Sequence, residues 1–170
     1  ARALYLFPTK ALSADQASEL YELVEALGVD IKAYTYDGDT QGAARKAIRQ
    51  AGHIVVTNPD MLHSNVLPNH TKWVKLFENL QYIVIDEIHT YRGVFGSNLA
   101  NVLRRLLRLC AFYGSHPRFI LCSATIANPQ ELAHIPATDR YPIYITHTKP
   151  SETELIMDEI RQLDGTASPL

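Results

Sequence analysis

Apolar residues fall along the chain in short continuous runs, separated by segments in which they recur at helical spacing. Ala3-Leu4-Tyr5-Leu6-Phe7 reads as a buried strand closed by Pro8. Ser13 and Gln16 form an S-x-x-Q capping box, which predicts a helix start there. Leu20, Leu23, Val24 and Leu27 follow on one helical face, with Gly28 placed as the C-cap. Residues 31–36 predict a second strand that ends in the turn Asp37-Gly38-Asp39, and residues 41–51 a short helix. Residues 53–57 predict a third strand, broken by Asn58-Pro59, with Pro59 in the first turn of a helix reaching Leu62. Trp73, Leu76 and Phe77 mark a further short helix. Tyr82-Ile83-Val84-Ile85 is apolar on both faces, as a central parallel strand should be. Leu99, Val102, Leu103, Leu106, Leu107 and Cys110 mark the longest helix, and Arg104, Arg105 and Arg108 read as its solvated face. Residues 119–122 predict a buried strand and residues 141–145 a last one. Ser151 and Glu154 open an amphipathic helix carrying Leu155, Ile156, Ile160 and Leu163, before a frayed tail from Gly165.

Strands that alternate with helices predict an α/β fold, a parallel sheet covered on both faces. In such sheets ligands bind at the carboxyl ends of the strands, so the residues after each apolar run matter most. At 170 residues and 46% apolar, the chain has the size and composition of one globular domain. Its formal charge of −2 gives no overall attraction to nucleic acid, so any basic surface is local. Cys110 and Cys122 lie in apolar runs without a CxxC or a Cys/His pattern, which excludes a zinc site of that kind and fits reduced core thiols of a cytoplasmic protein. No apolar run approaches the roughly 20 residues of a membrane span, and residues 2–7 are too short for a signal sequence. The chain opens inside a strand pattern and not at Met, so a further N-terminal part is expected.

Four strand ends carry polar clusters: Pro8-Thr9-Lys10, Thr57-Asn58-Pro59-Asp60, Asp86-Glu87-Ile88-His89 and Ser123-Ala124-Thr125. Packing alone does not call for four such clusters, each directly after an apolar run. Asp86 and Glu87 are the sharpest, because two carboxylates after a fully apolar strand are costly to bury unpaired. A bound cation changes that balance: in a phosphate-loop NTPase the aspartate holds Mg²⁺. The adjacent glutamate then orients or deprotonates the attacking water. The structural alternative is that the pair caps a helix N-terminus. Likewise Lys10 could be a solvated helix-entry residue and Asn58-Pro59 a simple turn.

Asp86-Glu87-Ile88-His89 and Ser123-Ala124-Thr125 resemble motifs II and III of DExH-box superfamily 2 helicases. Pro8-Thr9-Lys10-Ala11-Leu12 resembles their motif Ia, and Thr57-Asn58-Pro59-Asp60-Met61-Leu62 their motif Ib. Tyr36-Asp37-Gly38-Asp39, Thr90-Tyr91-Arg92-Gly93-Val94-Phe95-Gly96-Ser97 and Ser123-Ala124-Thr125-Ile126-Ala127-Asn128-Pro129 are similar to the bacterial mitomycin-repair helicases, relatives of the RecQ-four-like helicases. The resemblance implies a three-layer RecA-like fold and an ATP-dependent DNA helicase acting in repair on single-stranded DNA. It divides the chain into a partial motor domain over 1–133 and a divergent segment over 134–170. It implies that Asp86 coordinates the Mg²⁺ of ATP, that Glu87 acts on the hydrolytic water, and that His89 couples them to Ser123, Ala124 and Thr125. It places Pro8, Thr9, Lys10, Gly38, Thr57, Asn58 and Pro59 against the tracked strand. Such contacts bind phosphate and sugar without reading sequence, and hydroxyls, amides and helix N-termini can supply them.

The sequence holds no GxxxxGK[ST] loop, which would give the backbone cradle and the phosphate-binding Lys. The loop and its strand, interior to the sheet by the resemblance, are expected upstream, and a second RecA-like domain elsewhere in the same parent chain. This stretch alone is therefore expected to be inactive. Two other readings compete. One is a non-catalytic RecA-like module that binds nucleic acid or a partner. The other is a metal-dependent phosphohydrolase, which needs more ligands than the neighbourhood of Asp86 and Glu87 supplies.

Overall fold

The computed structural model describes residues 1–123 and 143–146, with 10–16 and 143–146 described by their backbone. The elements are β1 (Arg2–Leu6), α1 (Lys10–Ala26), β2 (Ala33–Thr35), α2 (Gly42–Ala51), β3 (Ile54–Thr57), α3 (Pro59–Met61), α4 (Val74–Glu78), β4 (Leu80–Ile85), α5 (Gly93–Phe112), β5 (Arg118–Cys122) and β6 (Ile143–Thr146). The strands form one six-stranded sheet in the order β2-β3-β1-β4-β5-β6. Every pairing is parallel.

Side-chain alternation along each strand sorts the core into layers. Leu4, Leu6, Val55, Ile83, Ile85, Phe119 and Leu121 join one cluster with Ile48 of α2, Leu76 and Phe77 of α4 and the apolar stripe of α5. On the opposite face Phe7 and Val56 pack against Ala17 of α1, and Val84, Ile120 and Cys122 cluster beside Tyr5 and Tyr82. The result is helix, sheet and helix, the three-layer α/β arrangement expected. Trp73 is 1% exposed and meets the Tyr36 ring edge-on at 4.8 Å, which anchors the segment before α4 to the end of β2.

Helix ends follow local chemistry. Gly28 has φ +62, and its N–H donates to the Glu25 carbonyl, the left-handed stop predicted for α1. At the end of α5, Gly114 (φ +80) donates to Ala111 and Ser115 donates to Cys110, the paired bonds of a Schellman motif.

The pattern misleads in three places. Helix α1 starts at Lys10 and not after Ser13, so Ser13 lies within the first turns and Thr9 precedes the helix. Strand β2 is shorter than 31–36, because it is an edge strand paired with β3 alone. The helix after Pro59 does not stop at Leu62; it continues as a π-helical turn over Leu62–Val66. Beside β5, the strand β6 pairs directly and in parallel. The predicted helix beginning at Ser151 lies outside the described residues.

Candidate functional site

Leu6 pairs with Thr57 and Ile85, and Ile85 pairs with Leu121, so β1, β3, β4 and β5 end level. The polar segments after them therefore leave the sheet along one edge.

Asp86 takes the last rung of the ladder, its N–H donating to the Leu6 carbonyl at 3.0 Å. Its Oδ1 accepts the Glu87 N–H at 2.8 Å, and the Tyr5 hydroxyl donates to Oδ2 at 3.5 Å. Burial raises the carboxyl's pKa, and the Glu87 charge adds to that; the bonds from Glu87 N–H and Tyr5, and His89, pull the other way. Among the described residues no Lys or Arg forms an ion pair with Asp86. A divalent cation would fit this site, where a desolvated carboxylate is paired with no Lys or Arg of the described residues. Among the described residues no group of three or more His, Cys, Asp and Glu could hold a metal. Asp86 would thus hold a cation together with ligands brought by another molecule, as Mg²⁺ is held with nucleotide phosphates.

Glu87 has φ 49 and ψ 43, the left-handed region, which costs a side-chain-bearing residue roughly 1–2 kcal/mol. No other non-glycine described residue has positive φ. The turn is held because the Glu87 carbonyl accepts from both the N–H and the hydroxyl of Thr90, each at 2.8 Å. The carboxylate is about one-third exposed, with Oε2 at 3.2 Å from His89 Nδ1. The same His89 nitrogen lies 3.2 Å from the Ser123 hydroxyl, which is buried at the end of β5. One ring nitrogen thus reaches the carboxylate on one side and the next strand's end on the other. Its tautomer and rotamer decide which contact is made.

Two tyrosines and a thiol complete the surroundings. Burial raises the Tyr5 hydroxyl's pKa, with the Asp86 charge second, so it stays a neutral donor. Tyr91 is buried and its hydroxyl has no hydrogen-bond partner among the described residues; burial, then the charges of Asp86 and Asp60, raise its pKa. Burial, then Asp86 and Glu87, push the Cys122 thiol up to about 12, so it remains a protonated core group. Tyr5 and Tyr91 escaped the sequence reading, one inside an apolar run and the other in a loop motif without a role assigned to it.

The residues expected against a nucleic acid are placed unequally. Thr9 is exposed and Pro8 half-buried before α1, which Lys10 opens. Gly38 is exposed in a turn where Asp37 Oδ1 accepts from the N–H groups of Asp39 and Thr40. Arg45 braces that turn, donating to the Thr40 carbonyl at 2.7 Å and the Gly38 carbonyl at 3.2 Å. Thr57 is buried and its hydroxyl donates to the Tyr36 carbonyl at 2.7 Å, so it ties β3 to β2 and does not face outward. Asn58 Oδ1 accepts the Met61 N–H at 2.8 Å and caps α3, with Pro59 buried behind it. Ala124 and Thr125 lie outside the described residues.

The DEAD/DEAH box helicase family model matches residues 1–132. YprA, an ATP-dependent helicase of Bacillus subtilis, is 72% identical over 131 residues, covering 77% of this chain and 18% of the relative. The ATP-dependent helicase HRQ1 of Saccharomyces cerevisiae is 47% identical over 135 residues, 74% of this chain and 12% of the relative. The crystal structure of the DUF1998 helicase MrfA bound to DNA and AMPPNP superposes with a TM-score of 0.78 at 66% identity, covering 85% of this chain and 20% of that one. The chain spans a fifth or less of the length of these proteins. Among the described residues no helix is long and apolar enough to cross a membrane.

Proposed function

Because the chain belongs to the DEAD/DEAH box helicase family, we propose that its parent protein is an ATP-dependent DNA helicase acting in repair, with this chain contributing most of a RecA-like motor domain. The observation that carries the proposal is the contact chain Asp86, Glu87, His89 and Ser123 along the ends of β4 and β5. MrfA, of the same fold, is seen with DNA and AMPPNP. That supports a nucleotide and DNA as ligands of the parent protein, and the carboxylates Asp86 and Glu87 favour this sheet edge as the place for the nucleotide.

Bound MgATP would supply the phosphoryl group, with the cation neutralising charge on its oxygens. Asp86 would hold the cation, which in turn keeps its carboxyl ionised. The left-handed turn projects the Glu87 carboxylate beyond the strand end, where it orients and deprotonates a water. His89 Nδ1 lies 3.2 Å from both Glu87 and Ser123, so it would carry a change at the hydrolytic site to the end of β5. Ser123, with Ala124 and Thr125 after it, passes that state to the strand-bearing surface and to a second RecA-like domain of the parent chain. Pro8, Thr9, Lys10 and the exposed Gly38 turn would touch the backbone of single-stranded DNA. Thr57 and Asn58 support that surface by bracing β3 and α3 from within. A non-catalytic module would have no use for a strained glutamate beside a desolvated aspartate.

The test is Glu87→Gln in the parent protein, which keeps size and hydrogen bonding but removes the base. ATP turnover should fall by about 10²- to 10⁴-fold with ATP binding retained. Turnover within a few-fold of the parent would overturn the assignment.

A further inference from the structure

A groove of about 400 Å³ runs between the start of α3 and the first half of α5, on the sheet face that carries α5. Its floor is apolar and its walls carry Asp60, His63, Phe95, Asn98, Asn101 and Arg105. Apart from Asp60, none of these residues has a part in the site described above. Both helices that flank the groove begin just beyond strand ends, α3 after β3 and α5 after the turn that follows β4. The groove therefore starts at the edge that holds Asp86.

Phe95 is 39% exposed, large for an aromatic ring on a packed helix. One side of it stacks on Tyr91, centroids 4.9 Å apart and planes 17° off parallel. The rest of its surface lines the groove. Asn98 and Asn101 follow along the same wall, and the Asn101 oxygen accepts from Arg104, which leaves its amide N–H groups to donate. Arg105 closes the far end, where its Nη1 meets His63 Nδ1 at 2.7 Å. Arg105 carries five donors, so this contact leaves others for an anion. At 1.5 Å per residue, Phe95 and Arg105 stand about 15 Å apart along α5. A flat ring, amides that can pair with base edges, and a guanidinium beyond them match a nucleotide piece by piece.

We propose that this groove takes an unstacked base of the single strand against Phe95, with the strand's phosphate backbone running on toward Arg105. The inference rests on the nucleic-acid function proposed above and adds to it a contact made to a base instead of the backbone. An amphipathic partner helix is the less suitable occupant, because it needs a continuous exposed apolar strip. Here the exposed apolar surface narrows to one ring between polar walls. The Tyr91 ring backs Phe95 while its buried hydroxyl lies within the field of Asp86. A base seated in the groove would thus press on a side chain that borders the hydrolytic site.

The experiment uses the parent protein, an oligothymidylate carrying one 2-aminopurine, and an abasic oligonucleotide of equal length. The parent should quench 2-aminopurine and bind the ordinary strand. Phe95→Ala should bind that strand about tenfold more weakly, the worth of one base–aromatic stack, and should bind the abasic strand as the parent does. Phe95→Tyr should restore both affinity and quenching, whereas Phe95→Leu, which keeps apolar bulk without a flat ring, should not quench. A parent protein that binds no strand at all would remove the functional reading itself. A parent that binds, with Phe95→Ala matching it on the ordinary strand, would overturn the groove alone. Equal weakening on ordinary and abasic strands would also overturn it, and would assign Phe95 to a contact between protein surfaces.

Discussion

Asp86 is a carboxylate in a poor place for one: burial raises its pKa, and no Lys or Arg is paired with it among the described residues. A group whose folded pKa lies above its unfolded value costs stability when ionised. That cost is fully present at neutral pH and disappears as pH falls through the raised value and below the unfolded one. Asp86→Asn should therefore raise the unfolding temperature of the nucleotide-free parent by a few degrees near pH 7, an effect of about 1 kcal/mol. The advantage should shrink on acidification, and with it should come loss of Mg²⁺-dependent ATP hydrolysis. Thermal melts of both proteins across a pH series check it. A destabilised Asn variant would mean that Asp86 is held by favourable contacts and not by the demands of a cation. Glu87 shows the same trade at the backbone, where a left-handed glutamate persists because Thr90 fixes its carbonyl twice.

At the scale of elements, the join between β4 and α5 carries the tightest constraint. A Cβ at Gly96 would stand 2.5 Å from the Tyr91 carbonyl oxygen and 3.1 Å from its carbon. Backbone cannot give way as a side-chain tip can, so Gly96→Ala must move the loop that ends in the Thr90–Glu87 bonds. We expect a loss of roughly 1–3 kcal/mol in stability, the usual cost of overpacking. ATP turnover should fall beyond what the stability loss explains, because the displaced loop carries Glu87. Chemical denaturation and steady-state kinetics of the same variant separate the two effects, and unchanged kinetics would show the loop to be compliant. These constraints bound what the sequence could reveal. Residues 3–7, 82–85 and 119–122 were legible as strands, since an apolar run before a polar cluster has few other readings. The candidate site stood out for the same reason, as Asp86, Glu87, His89 and Ser123 each stand just past such a run. The inward bond of Thr57 could not be read from the sequence, because a threonine at a strand end donates inward or outward with equal ease, and only the nearness of the Tyr36 carbonyl decides. The start of α1 was misjudged because Thr9 and Ser13 both suit a cap, and the tie is broken by where β1 delivers the chain. The positive φ of Glu87 and the π-helical turn after Met61 leave no mark in a hydrophobic pattern.

For the molecule as a whole, the sheet order sets what the chain can do alone. β4 lies between β1 and β5, so Asp86 and Glu87 emerge mid-sheet with Ser123 beside them. A mid-sheet edge in a parallel fold is where a nucleotide's phosphates would sit. Yet holding phosphates takes donors, and the sequence has no GxxxxGK[ST] loop to supply a backbone cradle or a phosphate-binding Lys. Mg²⁺ is bound through one or two carboxylates together with substrate phosphates, so Asp86 by itself would hold it weakly. The net charge of −2 offers no compensating field. The 170-residue chain in isolation should therefore show no saturable ATP binding by calorimetry at micromolar concentrations, with or without Mg²⁺. Its affinity for single strands should be weak even at low salt, since few phosphates are engaged, and should fall further as salt is added, since much of that attraction is counterion release. Joined to a segment that supplies the missing loop, the same residues should bind ATP with Glu87 still required for turnover. Tight ATP binding by the isolated chain would mean that the described edge contains a phosphate cradle of another kind, and that the reading of Asp86 as half of a shared site is wrong.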